Sequence, residues 1–173
     1  MTIVIRGGTL IDGTGRAPVP DAAVVIEGNS ILQAGPASQV AAPPEAQIVD
    51  ATGKTILPGM IDCHAHMLAY EYNMEKRLSR PMSLTVLKSC VNMKSTLEAG
   101  VTTIRDAGGM DVGVKLAQQE GLVPGPRMFI AIVPLAQTGA LFDLHMGSGA
   151  KLDTSNMYGA IRKYCGGVET LRQ

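Results

Sequence analysis

The apolar positions change their period once along the chain, and that change divides it. Through residues 1–58, β-branched and apolar side chains come in short runs broken by glycine, proline and asparagine. Residues 2–6 form one such run, interrupted by Gly7-Gly8. Residues 22–27 and 30–34 flank Gly28-Asn29, a two-residue hairpin signal. Ala41-Ala42-Pro43-Pro44 is a loop, and residues 47–50 and 54–57 read as another short pair around Thr52-Gly53. No helical period occurs here. The stretch is expected to form a small β-sandwich or sheet, of a size marginal for independent stability.

After Pro58-Gly59 the rhythm alternates. Residues 60–66 read as a buried strand. Met82, Val86, Cys90, Met93 and Leu97 then fall on one helical face, with Pro81 suited to the first turn and Gly100 to the stop. Residues 101–105 are a second strand, and residues 111–120 a short helix with Asp111 as its cap and Gly121 after it. Gly125-Pro126 leads into a third strand over 127–133. A long loop over 135–152 precedes a helical stretch over 156–165, the break Gly166-Gly167, and a further helical start over 168–173. Strand, helix, strand, helix, strand is the order of a parallel α/β domain. A complete (β/α)8 barrel takes about 250 residues, so residues 59–173 suffice for about its first three to four units. The expected fold is therefore α/β: a small N-terminal β-sandwich over 1–58, then part of a TIM-type barrel over 59–173. An open four-stranded α/β domain is the competing architecture.

Composition narrows the function. With 46% hydrophobic and 17% charged residues the chain can bury a core. Fifteen Lys and Arg balance 15 Asp and Glu, so no basic excess points to nucleic acid and no polybasic run to an anionic membrane. Aromatics are 3% with no Trp, which argues against a stacking platform for bases. No apolar run approaches the roughly 20 residues of a spanning helix, and residues 1–10 lack the marks of a secretory signal. Three cysteines with no close pairing suit the reduced thiols of a cytoplasmic protein.

The candidate chemistry is Asp62-Cys63-His64-Ala65-His66, at the end of the first barrel-type strand. Alternation puts residues 62, 64 and 66 on one face, and 63 and 65 on the other. Two imidazoles on one face can bind one metal ion, and Asp62 shares that face, placed to orient a ligand or hold a proton. Cys63 points to the core. An isolated His-x-His also arises by chance, but the chain has only three histidines and two of them cluster here. Barrel active sites sit at this end of the strands.

Four stretches carry a resemblance. Leu57-Pro58-Gly59-Met60-Ile61-Asp62-Cys63-His64-Ala65-His66 resembles the signature of the metal-dependent amidohydrolase superfamily. Ile5-Arg6-Gly7-Gly8-Thr9-Leu10-Ile11-Asp12-Gly13 resembles the start of that family's N-terminal β domain. Gly100-Val101-Thr102-Thr103-Ile104-Arg105-Asp106-Ala107-Gly108-Gly109 resembles its second barrel strand and turn, in a form most similar to the imidazolonepropionase and prolidase-like branch. Gly125-Pro126-Arg127-Met128 resembles the lead into its third strand.

The resemblance implies that His64 and His66 bind one or two divalent metals, zinc first among them. It implies hydrolysis of carbon–nitrogen bonds in small amides, cyclic amides or dipeptides by a metal-activated water. The family's other ligands come from the fourth, fifth, sixth and eighth strands, and the eighth-strand Asp is also its general base. No position of this chain corresponds to them, so the base is expected beyond residue 173, and the alternative reading is a truncated, non-catalytic remnant. An unpaired barrel edge implies association of copies into a homo-oligomer. Relatives often carry Thr-Gly-Gly-His in the loop after the third strand. Here five residues separate Gly139 from His145, which makes His145 a candidate substrate contact or a solvated loop histidine. Arg105 and Asp106 read either as lining the barrel mouth or as a structural ion pair or helix cap. Cys90 and Cys165 carry no expected chemistry.

Overall fold

The computed structural model describes residues 1–68, 71, 73, 76, 79–132, 135–136, 148–150 and 163–164. Two compact units divide the chain, Met1–Pro58 and Gly59–Gln173.

The first unit is built around β1 (Thr2–Leu10). It pairs antiparallel with β2 (Val19–Glu27), which turns at Gly28, φ 58°, into the antiparallel β3 (Ser30–Pro36). The other edge of β1 takes two short parallel strands in succession, β4 (Gln47–Asp50) beside residues 3–6 and β5 (Thr55–Ile56) beside residues 9–10. Of the two arrangements expected, sandwich or sheet, the hydrogen bonds make one five-stranded sheet.

Strands β4 and β5 are therefore not the pair expected around Thr52-Gly53. The reason lies in Gly7-Gly8, which does not interrupt β1 but bulges it. The register against β2 shifts on both sides of Gly8. The segment joining β4 to β5 crosses at that point, with Ala51 N–H donating to the Arg6 carbonyl at 2.8 Å and Thr9 N–H to the Lys54 carbonyl at 2.9 Å. Gly7 takes a φ of 86°, and a Cβ on Gly8 would stand 2.9 Å from the carbonyl oxygens of both Ala51 and Lys54. Asp50 fixes the same turn, accepting the Thr52 hydroxyl at 2.6 Å and the Thr52 N–H at 2.8 Å. Those two bonds hold its carboxyl below the ordinary value. Alternation along β2 supplies two apolar clusters: Ala22 and Val24 with Leu10, Ala51 and Ile56, and Ala23 and Val25 with Val4.

The second unit carries a three-stranded parallel sheet in the order β6 (Met60–Ala65), β7 (Val101–Asp106), β8 (Arg127–Ile130). Helix α1 (Met82–Glu98) follows β6 and helix α2 (Val112–Gln119) follows β7. The helix ends obey the sequence. Pro81 precedes α1, and Gly100, at φ 90°, lets the chain leave it. The Asp111 carboxylate accepts the Gly113 N–H at 2.7 Å to cap α2. Met93, Ile104, Met110, Val114 and Met128 form the core with Ala65 and Leu68.

Three expectations are corrected. The buried face of α1 keeps Met93 and half-buried Val86 of the predicted stripe but adds fully buried Ser89 and leaves Leu97 exposed. Ser89 is tolerated there because its hydroxyl donates to the Val86 carbonyl at 2.7 Å. Strand β6 is not buried over its length. Met60, Ile61 and Cys63 are exposed and only Ala65 is covered, where it joins the cluster of Leu68, Met93 and Ile104. Cys63 is thus not a core residue. Finally, β8 stops at Ile130, and two dipeptides pair in parallel, β9 (Leu135–Ala136) in the expected loop and β10 (Lys163–Tyr164) in the expected helix. Tyr164 favours a strand, and Gly166-Gly167 beyond it offers a helix no continuation. No helix among the described residues is long and apolar enough to cross a membrane.

Gly59 sets the entry into β6. A Cβ there would run into the Cβ, Oγ1 and Cγ2 of Thr102 on β7. Gly59→Ala should therefore destabilise the second unit by about 1–3 kcal/mol, the cost of overpacking. Adding Thr102→Ala, which removes Oγ1 and Cγ2, should recover part of that loss. Urea denaturation of the two single variants and the double variant checks this; strictly additive effects would show that the two residues do not collide.

Candidate metal centre

The C-terminal end of β6 is pinned at one residue. Ala65 is buried, sits opposite Asp106 in the parallel register, and its carbonyl accepts the Ala107 N–H at 2.9 Å. The histidines on either side of it are both exposed. Their ring centroids lie 5.2 Å apart with the planes at 73°. The two imidazoles are neighbours, as alternation requires.

Asp62 is bonded to the backbone of the first histidine. Its Oδ1 accepts the backbone N–H of His64 at 2.9 Å, where the β6–β7 register shifts between Asp62 and Ala65. The carboxylate therefore bonds the chain rather than an imidazole.

His66 is held by its ring. Nδ1 lies 3.0 Å from the carbonyl oxygen of Gly108. A carbonyl can only accept, so Nδ1 carries the proton and Nε2 keeps its lone pair for a metal. Gly108 is held in turn by Asp106, which is fully buried. Asp106 Oδ1 accepts the N–H groups of Gly108 at 3.0 Å and Met110 at 3.4 Å, and Oδ2 accepts that of Met67 at 2.9 Å. Asp106 is thus neither an ion-pair partner nor a helix cap. Its neighbour Arg105 donates instead to the Cys63 carbonyl at 3.4 Å.

Two imidazole nitrogens suit zinc or another borderline divalent ion. Among the described residues, no group of three or more His, Cys, Asp or Glu comes together to complete a site. Cys63, exposed and between Asp62 and His64, does not join the pair. His145 and Cys165 lie outside the described residues. Sequence reasoning missed Gly108 as the partner of His66. The available signal was the Gly108-Gly109 pair directly after the second-strand motif; in the structure the two take φ of 146° and 104°.

The chain is similar in sequence and fold to known proteins. No protein-family model matches the chain. The imidazolonepropionase of Streptomyces coelicolor is 34% identical over 110 residues, covering 58% of this chain and 27% of that protein. A crystal structure of a prolidase complexed with N-methylphosphonate-L-proline superposes with a TM-score of 0.85 at 34% identity, over 99% of this chain and 42% of that one. A crystal structure of an amidohydrolase gives a TM-score of 0.84 at 32% identity over the same shares. The chain belongs to the amidohydrolase superfamily. It spans less than half the length of these amidohydrolase relatives.

The bond from Asp62 to the His64 backbone separates a structural carboxylate from a ligand. Asp62→Asn keeps an acceptor oxygen and should leave zinc affinity unchanged. Asp62→Ala should cost about 0.5–1.5 kcal/mol of stability, the worth of one hydrogen bond. Calorimetric zinc titration and thermal melts of both variants check this. A loss of affinity in the Asn variant would make Asp62 a ligand.

Proposed function

We propose that this chain carries the two-histidine limb of a divalent-metal centre that hydrolyses carbon–nitrogen bonds in small amides, cyclic amides or dipeptides. The observation that carries the reading is the pair of adjacent, exposed imidazoles at the end of β6, one with Nδ1 3.0 Å from a backbone carbonyl oxygen. The order β6-β7-β8 with helical crossovers is read as the opening of a (β/α)8 barrel preceded by a separate β domain, with the boundary at 58/59. In such a barrel the histidines stand at the mouth, where substrate enters. The relatives' names, imidazolonepropionase and prolidase, support the choice of small amide and dipeptide substrates.

A bound zinc supplies Lewis-acid polarisation of a carbonyl and lowers the pKa of a water ligand to about 7. The chain's own part is to hold that ion. His66 offers Nε2 in a fixed orientation, and His64 offers a second ring nitrogen from the same side of β6. Both nearby carboxylates accept backbone N–H groups, Asp62 that of His64 through Oδ1 alone and Asp106 three of them. His145 is retained as a candidate contact to the substrate. The edge of β6 that has no partner among the described residues, with exposed Met60 and Ile61 beside it, supports association of copies.

Purified chain 1–173 should bind zinc through both histidines yet turn over no N-acyl amino acid or X-Pro dipeptide above background with zinc, manganese or cobalt. A missing general base alone typically costs about 10²–10⁴ in rate. Zinc binding that survives the His64→Ala, His66→Ala double substitution would overturn the metal reading. Turnover proportional to chain concentration, and lost in the double variant, would show that the base lies within the chain or a second copy of it.

A further inference from the structure

Asp106 is a fully buried carboxylate that no step of the proposed chemistry uses. We propose that Asp106 is a positioning residue for the metal limb: through the Gly108 carbonyl and the Met67 N–H it sets the orientation and the tautomer of His66. The inference rests on the reading of His66 as a metal ligand. It adds a residue that never touches the ion.

Two ties converge on His66 from one side chain. Oδ2 accepts the N–H of Met67, the residue next to His66, and fixes the backbone that leaves the histidine. Oδ1 accepts the N–H of Gly108, whose own carbonyl receives the Nδ1 proton of His66. The third bond, from Met110, closes the Gly108-Gly109 turn around the same oxygen. That turn needs the help. Gly108 and Gly109 both take positive φ, and glycine is the residue with the most backbone freedom to lose. Without an anchor the Gly108 carbonyl has many directions available to it. With Asp106 in place the carbonyl points at the ring, and its lone pair selects the Nδ1–H form, leaving Nε2 for metal. Outer partners of this kind are worth about 10–100-fold in metal affinity.

The choice of carboxylate follows from the donor count. Three N–H groups surround Asp106, and two oxygens can accept all three. An amide in the same place has one oxygen and an NH2 group that only donates, so Asp106→Asn must give up either the Met67 or the Gly108 tie. Asp106→Ala gives up both.

The test reads the imidazole nitrogens of ¹⁵N-histidine-labelled chain 1–173 by NMR, first without metal and then during a zinc titration. Metal-free wild type should show His66 in the Nδ1–H form. Asp106→Ala should lose that preference and bind zinc about 10–100-fold more weakly, with Asp106→Asn between the two. Met93→Ala, a cavity in the same core, should lower the melting temperature yet leave the His66 ring signals in place. The proposal is overturned by wild-type His66 in the Nε2–H form, by an Asp106→Asn chain with unchanged tautomer and zinc affinity, or by an equal ring shift in Met93→Ala. The Asn variant is close to isosteric, so it decides the matter should the Ala variant not fold. The tautomer is read without metal or substrate, so it stands or falls separately from the hydrolase reading.

Discussion

The parallel pairing of β6 with β7 is the constraint on which the site depends. It brings Ala65 opposite Asp106, and from that register the rest follows. Ala65 is buried against the Met93 and Ile104 core, so the histidines flanking it stand out of the core. The residues just beyond β7 then lie beside those just beyond β6, which is how a Gly108 carbonyl reaches a His66 ring 42 positions away in sequence. The approach of the two strands is close enough that Gly59 has no room for a side chain against Thr102. A signature that reads as Pro-Gly followed by His-x-His is, physically, a close strand contact at one end and a pair of exposed imidazoles at the other.

Much of this was legible in the residues. The three parallel strands, Asp111 as the cap of α2, Gly100 and Gly121 as helix stops and the shared side of the two histidines follow from period, capping chemistry and strand alternation. What was not legible depended on non-local contact. Gly7-Gly8 read as a break, because a glycine pair in a strand signals interruption until a crossing backbone at Ala51 and Lys54 shows why side chains are excluded. Cys63 read as core, because alternation says which face a residue takes but not whether anything covers that face. Asp106 read as an ion-pair or capping residue, because the three N–H groups it accepts belong to the ends of two different strand segments. His145 lies outside the described residues.

Membership in the amidohydrolase superfamily agrees with the division of labour seen here. The first unit contributes a sheet with its own two apolar clusters and no part of the histidine pair. The second unit carries both histidines at the end of β6. The donor set is incomplete among the described residues. What they supply is a pair of adjacent imidazoles, one of them beside a carbonyl whose residue is bonded to a buried carboxylate.

The central claim is that His64 and His66 together hold one ion through ring nitrogens. X-ray absorption spectroscopy of the zinc-loaded chain measures this directly. The account predicts a first shell of nitrogen and oxygen at about 2.0–2.1 Å with outer-shell scattering from two imidazoles, and no sulfur at about 2.3 Å. A shell with one imidazole, or a sulfur contribution from the exposed Cys63, would contradict it.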